Sequence, residues 1–249
     1  MSIKHLAHLL LVLGMGILHA PAYGQTSSHS PEEEAIMSQQ QSLTERQQAI
    51  VPVAAFAAVG DLTALSTALN QGLDAGMTIN DAREVLVQLY AYAGFPRSLN
   101  ALGTLMAVLE DRRQNGIVDI EGQTPVNPIP KGDALMEQGT ANQTKLAGGP
   151  VKGPVFDFAP AADEYLKTHL FGDIFARDNM SWQDREISTV AMLAAISGVE
   201  PQLQAHIGIG MNAGLTESQL QLLSDVLGER VDAASAARVR NALKQRAAK

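Results

Sequence analysis

The chain has 249 residues, carries a formal net charge of −8 at pH 7 and contains no cysteine. An acidic chain with no basic stripe lacks the electrostatic basis for binding nucleic acid. The absence of cysteine excludes thiol redox chemistry and zinc sites built from thiolates.

The first 24 residues predict a secretory signal sequence. Lys4 precedes a mainly apolar stretch from Leu9 to Leu18, and small residues suited to cleavage follow as far as Gly24. An uncleaved anchor or a buried helix is the alternative, but the stretch is shorter than the roughly 20 residues that span a bilayer. We therefore expect a periplasmic or secreted protein without stable membrane insertion after cleavage, and a flexible N-terminus at residues 25–42.

One seven-residue phrase occurs twice in the chain. It reads Gly-Leu-Asp-Ala-Gly-Met-Thr at residues 72–78 and Gly-Met-Asn-Ala-Gly-Leu-Thr at residues 210–216. Each copy combines a glycine that can end one helix with a threonine that can cap the next. Similar alanine-rich runs precede both copies, at residues 54–59 and 191–196. These matches indicate an internal duplication of one helical unit.

The first unit is predicted at residues 43–113. Thr44, with a glutamine three residues later, predicts a capping box at the start of a helix. Pro52 is expected to bend or delay that helix. A second helix is expected from Leu62 to about Leu73, and Thr78 is placed to cap a third.

The composition changes at residues 114–160, which are rich in proline and glycine and predict an extended connection. The second unit is predicted at residues 161–249, where Ser181 and Thr216 mark helix starts. No segment shows the alternation of apolar and polar residues that is typical of strands. We therefore predict an all-α fold of two helical repeats joined by a connection rich in proline and glycine.

Glu186 and His206 are the main candidates for chemistry. Glu186 shares a helical face with Val190, and His206 shares one with Leu203, so both should lie beside the core. A carboxylate and an imidazole that meet in a dry pocket can exchange protons. The alternative is a structural Glu–His pair, or two unrelated half-buried residues. Histidines are too few for a histidine-rich metal site, so no metal is expected.

Arg177, Arg185 and Arg97 are candidate ligands for a substrate carboxylate, because a guanidinium group binds two oxygens in one plane. For Arg177 and Arg185, simple solvation at the surface is the alternative. Tyr92 precedes a Gly-Phe-Pro break, where its phenol could hydrogen-bond a ligand. Tyr90, two residues earlier, points in another direction on a helix.

Several phrases, taken together, resemble a known family. They occur at residues 90–97, 171–177, 184–187, 191–195, 203–206 and 210–216. The sequence is similar there to the carboxymuconolactone decarboxylase family, over most of residues 43–112 and 160–230. The resemblance implies an all-helical fold whose small units associate as trimers or hexamers.

The resemblance also implies one of two activities. The alkylhydroperoxidase-like branch uses a Cys-x-x-Cys pair, so thiol peroxidase activity remains only a family-level label for a chain without cysteine. The other branch decarboxylates a γ-lactone without a metal or cofactor. It implies His206 as acid/base, Glu186 as its partner, and Arg177 or Arg185 as the anchor for a carboxylate. The predicted function is a cofactor-independent lyase or isomerase for a small carboxylated lactone or related acid.

The two units retain different parts of the family pattern. Two alanines of the first unit align with Glu186 and His206, whereas the Tyr-x-Gly-Phe-Pro phrase occurs only in the first unit. We therefore expect one composite pocket, with Tyr92 and Arg97 from the first unit and His206 from the second. Export differs from the cytoplasmic pathway of the family. The alternative function is therefore a non-catalytic exported binding or scaffold protein on the same fold.

Overall fold

A computed structural model describes residues 42–247. The predicted signal sequence (1–24) and the flexible N-terminus (25–42) lie outside the described residues, apart from Ser42. Residues 42–247 form helices joined by turns and loops, with no β-strand among them, which confirms the predicted all-α class. The elements are α1 (Glu45–Val59), α2 (Leu62–Asp74), α3 (Ile79–Gln88), α4 (Tyr90–Ala93), α5 (Phe95–Gln114), α6 (Asp133–Ala147), α7 (Pro154–Phe158), α8 (Pro160–Tyr165), a π-helix (Leu166–Ile174), α9 (Trp182–Ala195), α10 (Glu200–Asn212), α11 (Glu217–Arg230) and α12 (Ala233–Ala247). Within this part of the chain, no helix is both long enough and apolar enough to cross a bilayer.

The start of α1 follows from its capping residues. The hydroxyl of Thr44 accepts a hydrogen bond from the backbone N–H of Gln47 (3.2 Å), and the side chain of Gln47 accepts one from the backbone N–H of Thr44 (3.1 Å). Pro52 lies inside the helix and is buried. The expected delay at Pro52 does not occur, because the capping box fixes the start of the helix about two turns earlier.

Both copies of the repeated phrase end one helix and start another, as predicted. Gly76 and Gly214 adopt positive φ angles of 89° and 107°, which favour glycine. Thr78 and Thr216 then form capping boxes at the starts of α3 and α11. The duplicated sequence therefore encodes a duplicated helix–turn–helix.

The equivalent helices of the two repeats, α1 and α9, pack against each other in the core. Ala54 and Ala191 are fully buried there, and one apolar cluster contains residues from both repeats. At the edge of this contact, the Asp184 carboxylate accepts hydrogen bonds from Arg46 and Gln47. The repeats therefore share one core, which allows a site to use side chains from both.

The predicted extended connection is wrong for residues 133–147, which form α6. The buried face of α6 includes Leu135, Gly139, Asn142 and Leu146, at helical spacing. A glycine and an asparagine interrupt the apolar stripe on this face, which explains why the hydrophobic pattern did not reveal the helix.

Gly139 and Asn142 instead fit α6 closely against the π-helix. A Cβ atom at Gly139 would lie 1.9 Å from the carbonyl oxygen of Lys167. The side-chain amide of Asn142 donates a hydrogen bond to the carbonyl of Phe171 (2.7 Å). These contacts satisfy backbone groups of the π-helix and place α6 beside α10.

Candidate functional site

The structure brings His206 and Glu186 together as a buried pair. Nδ1 of His206 lies 2.9 Å from Oε2 of Glu186. The Glu186 side chain is fully buried and that of His206 is 9% exposed, so water screens the interaction little. Among the described residues, Nε2 of His206 has no hydrogen-bond partner. A neutral ring that donates from Nδ1 to this carboxylate has an unprotonated Nε2.

Close packing of α9 on α10 makes this pair possible. A Cβ atom at Gly210 would lie 3.6 Å from Cβ of Glu186 and 3.2 Å from Cδ1 of Leu215. Glycine at this position therefore avoids a tight contact with Leu215, while its distance to Glu186 is an ordinary van der Waals contact. Leu203 and Ile207 are buried and fix the orientation of α10, and with it that of the imidazole.

The first repeat shows the same packing without the chemistry. A Cβ atom at Gly72 would lie 3.8 Å from Cβ of Ala49, as that of Gly210 lies near Glu186. Ala49 thus occupies the position of Glu186. The buried Ala68 lies four residues before Gly72, as His206 lies four residues before Gly210. The acid–base pair therefore occurs only in the second repeat.

Tyr92 of the first repeat packs against the histidine of the second. The ring centroids of Tyr92 and His206 are 5.6 Å apart and the rings are nearly perpendicular (79°). The hydroxyl oxygens of Tyr92 and Thr189 lie 3.1 Å apart. Burial, followed by the charge of Glu186, raises the pKa of Tyr92 well above its ordinary value of 10. The phenol therefore stays protonated and holds one edge of the imidazole in place.

A cavity of about 970 Å³ adjoins His206. It lies between α6, the π-helix, α10 and the segment that follows α6, and His206 forms part of its wall. Most of the lining surface is apolar, and the polar side chains on it are His206, Gln143, Gln202, Gln204, Asn212 and Arg246. A mostly apolar cavity with a few convergent polar groups is the usual form of a small-molecule site.

Arg177 and Arg185 do not line this cavity and instead share Glu84. Arg177 donates to both carboxylate oxygens of Glu84, and Arg185 donates to one of them at 3.1 Å. Burial acts to raise the pKa of Glu84, but the hydrogen bonds from Arg177 and the charge of Arg185 outweigh it and hold the pKa below its ordinary value. Both arginines thus neutralise a buried carboxylate of α3. The geometry gives no support to their predicted role as substrate anchors.

The composite pocket predicted from Tyr92, Arg97 and His206 forms only in part, because one of the expected contacts between the repeats is present. Tyr92 meets His206, whereas Arg97 is exposed and donates a hydrogen bond to the carbonyl of Ala58 (2.8 Å). Arg97 does not line the cavity. His169 is exposed, and its Nδ1 lies 3.1 Å from a carboxylate oxygen of Asp173.

Arg246 and the amide side chains of the cavity wall were not predicted from the sequence. Arg246 lies in the last turn of α12, where nothing in the local pattern distinguishes it from other arginines of that helix. Gln143 was missed because it belongs to α6, in the segment predicted to be extended. Asn212 lies two residues after Gly210, at the end of α10. This position was the one feature of the sequence that could have indicated a residue of the cavity wall.

The residues between 42 and 247 contain no group of three or more histidine, aspartate or glutamate side chains arranged to hold a metal ion. Within the candidate site, Oε1 of Glu186 is buried without a hydrogen-bond partner. The Glu186 carboxylate therefore has His206 as its hydrogen-bond partner among the described residues.

Comparison with known proteins agrees with this architecture. The sequence profile of the carboxymuconolactone decarboxylase family matches the chain twice, at residues 32–106 and at residues 160–245. No curated protein shows significant sequence similarity to the chain. The two matched regions contain the two halves of the duplication and together span more than half of the sequence. The protein therefore belongs to the carboxymuconolactone decarboxylase family, as a chain with two copies of its helical unit.

Proposed function

We propose that this protein is a cofactor-independent acid–base enzyme, a lyase or an isomerase, that acts on a carboxylated lactone or a related acid. One observation carries the proposal: His206, paired with the buried Glu186, lines a cavity of about 970 Å³, and its Nε2 has no hydrogen-bond partner among residues 42–247. A histidine held in one tautomer by a carboxylate is a common general acid or base.

Decarboxylation at this site uses one proton donor. Loss of CO₂ breaks the bond between a ring carbon and its carboxylate, and the electron pair moves onto the lactone carbonyl as an enolate. Protonated His206 then gives its Nε2 proton to carbon and recovers one from water, so one CO₂ is released and one proton is consumed. Glu186 holds the ring in position through the 2.9 Å contact at Nδ1. In an isomerisation, neutral Nε2 instead removes a proton from one carbon and returns it to another.

Hydroperoxide reduction by a thiol has no chemical basis in this chain. That reaction needs a thiolate nucleophile and a second sulfur to resolve it, and the sequence has no cysteine at any of its 249 positions. The proposed chemistry therefore follows the decarboxylase branch of the family.

A non-catalytic binding or scaffold protein is the competing function. It is favoured by the use of Arg177 and Arg185 inside a structural cluster, because the predicted anchors are then absent from the site. A cavity adjoining both His206 and an arginine, Arg246, supports the enzyme instead. The two functions differ in whether the bound molecule is converted.

We also propose that the chain acts outside the cytoplasm, after removal of residues 1–24, and as a homo-oligomer. The apolar side chains of Phe95, Leu99 and Met106 are exposed on α5. Their spacing places them on one helical face, which supports burial against another copy. Cell fractionation and light scattering after gel filtration test these two points.

A substrate screen tests the proposed activity. The purified protein is incubated in D₂O with carboxylated γ-lactones, and ¹H NMR follows substrate loss and deuterium incorporation. For any substrate found, His206→Gln should lower kcat/KM by at least about 100-fold, the lower end of the usual contribution of a general acid or base. His169→Gln, which changes an exposed histidine, should leave it unchanged. Full activity of His206→Gln contradicts the proposal.

A further inference from the structure

The cavity beside His206 carries a positive charge that comes from the C-terminal helix. Arg246 is the one lysine or arginine among the described residues of its wall. It forms no salt bridge with any carboxylate of residues 42–247, in contrast to the paired Arg177 and Arg185. A guanidinium group on a ligand cavity without a partner of its own is free to bind an anion.

The sequence of α10 makes room for this guanidinium. A Cβ atom at Gly208 would lie 2.8 Å from a terminal nitrogen (Nη1) of Arg246. The guanidinium therefore lies directly against the backbone of α10, two residues after His206. Glycine is not needed here for its backbone freedom, because position 208 lies inside a regular helix. Its role is to let the charge approach the cavity.

The remainder of the cavity wall is apolar. Its apolar side chains come from the π-helix, the segment after α6 and α10, and include Val155, Phe156, Leu166, Leu170 and Phe171. A volume of about 970 Å³ is near the upper end of the range for small-molecule sites, about 300–1,000 Å³. A small polar lactone would leave much of this apolar surface in contact with water, so the wall fits a larger ligand better.

We propose that Arg246 is the residue that binds the substrate carboxylate, and that the substrate is amphipathic, with an apolar body that packs against the π-helix. The inference rests on the proposed function in that it names the substrate class and anchor of the same site. It assigns to Arg246 the role that the sequence suggested for Arg177 or Arg185. His206 and Arg246 both line this cavity, so a ligand that fills it meets both.

Calorimetric titration of the full chain with three probes tests this assignment. Octanoate carries a carboxylate and an apolar chain, 1-octanol lacks the carboxylate, and acetate lacks the chain. Octanoate should bind, and Arg246→Gln should raise its Kd about tenfold, as expected for the loss of a charge-assisted hydrogen bond at a partly exposed site. The affinity for 1-octanol should not change, and acetate should bind far more weakly than octanoate.

Two further variants keep the test specific. Gly208→Ala retains the arginine but displaces its guanidinium, and should also weaken octanoate binding. Lys244→Gln removes one positive charge from the same helix outside the cavity and should have no effect. An unchanged Kd for octanoate in Arg246→Gln, or an equal loss of octanoate and 1-octanol binding, overturns the proposal.

The test of Arg246 as the carboxylate anchor can be separated from the test of the proposed enzymatic activity. His206→Gln should retain octanoate binding, because binding requires no proton transfer. If Arg246 controls octanoate affinity while no lactone is converted, the anchor is supported and the enzymatic function fails. If conversion depends on His206 but octanoate affinity is independent of Arg246, the enzyme is supported and the anchor fails.

Discussion

Arg185→Met separates the structural arginines from the arginine of the cavity. The substitution removes a guanidinium that is completely buried and donates to Glu84 at 3.1 Å and to Gln88 at 3.3 Å. A hydrogen bond to a charged group contributes about 1.5–3 kcal/mol. Arg177 still holds both oxygens of Glu84, so the loss should stay below the roughly 3–5 kcal/mol of a fully orphaned buried ion. We expect the free energy of unfolding to fall by about 2–3 kcal/mol.

Urea unfolding followed by circular dichroism measures this loss. For a chain of this size a loss of 2–3 kcal/mol corresponds to a decrease in Tm of about 4–12 °C. Arg113→Met is the matched control, because this exposed arginine pairs only with a neighbour on its own helix and should leave the midpoint unchanged. Folded Arg185→Met should bind octanoate with the affinity of the unmodified chain. Unchanged stability, or octanoate binding lost in the folded variant, would refute the reasoning.

Three other predictions test the packing and the charges. Gly139→Ala places a Cβ atom 1.9 Å from a backbone oxygen of the π-helix and should lower the free energy of unfolding by about 1–3 kcal/mol or more. Gly103→Ala, with open space around it, should raise the free energy of unfolding by up to about 1 kcal/mol. Equal urea midpoints for the two variants would contradict this. Since the pKa of Glu84 is lowered in the fold, its stabilising effect is present above its ordinary value of about 4.5 and is lost as the pH falls, so unfolding curves of Glu84→Gln and the unmodified chain should converge in acid. At pH 10 the absorbance of tyrosinate at 295 nm should be the same with and without Tyr92→Phe, and Glu186→Gln should shift ionisation of Tyr92 to lower pH.

The features that sequence could predict are those encoded by neighbouring residues. The capping boxes at Thr44, Thr78 and Thr216, and the glycine turns before the last two, depend on contacts within three or four positions. The Glu186–His206 pair was predicted because each residue lies on an apolar helical face, and two such faces of consecutive helices tend to pack together. Local pattern and duplication were sufficient for both.

The assignment of the arginines could not be made from sequence. Arg185 and Arg246 have the same side chain, and only the tertiary structure shows that one meets Glu84 and the other a cavity. Glu84 was not among the candidates, because its position on α3 has no local signal of a buried charge cluster. Gly208 and Gly139 had no predictable role for the same reason, since the atoms they accommodate lie on distant helices.

The central claim is that Glu186 holds the His206 imidazole with Nδ1 protonated and Nε2 open to the cavity. ¹⁵N NMR of the histidine-labelled protein, with His206→Gln to assign the signals, reports this state most directly. At a pH where the ring is neutral, we predict a protonated Nδ1 whose signal changes in Glu186→Gln, and an unprotonated Nε2 whose signal shifts when octanoate is added. A proton on Nε2 with Nδ1 bare, or a ring whose signals respond neither to Glu186→Gln nor to octanoate, would contradict the account.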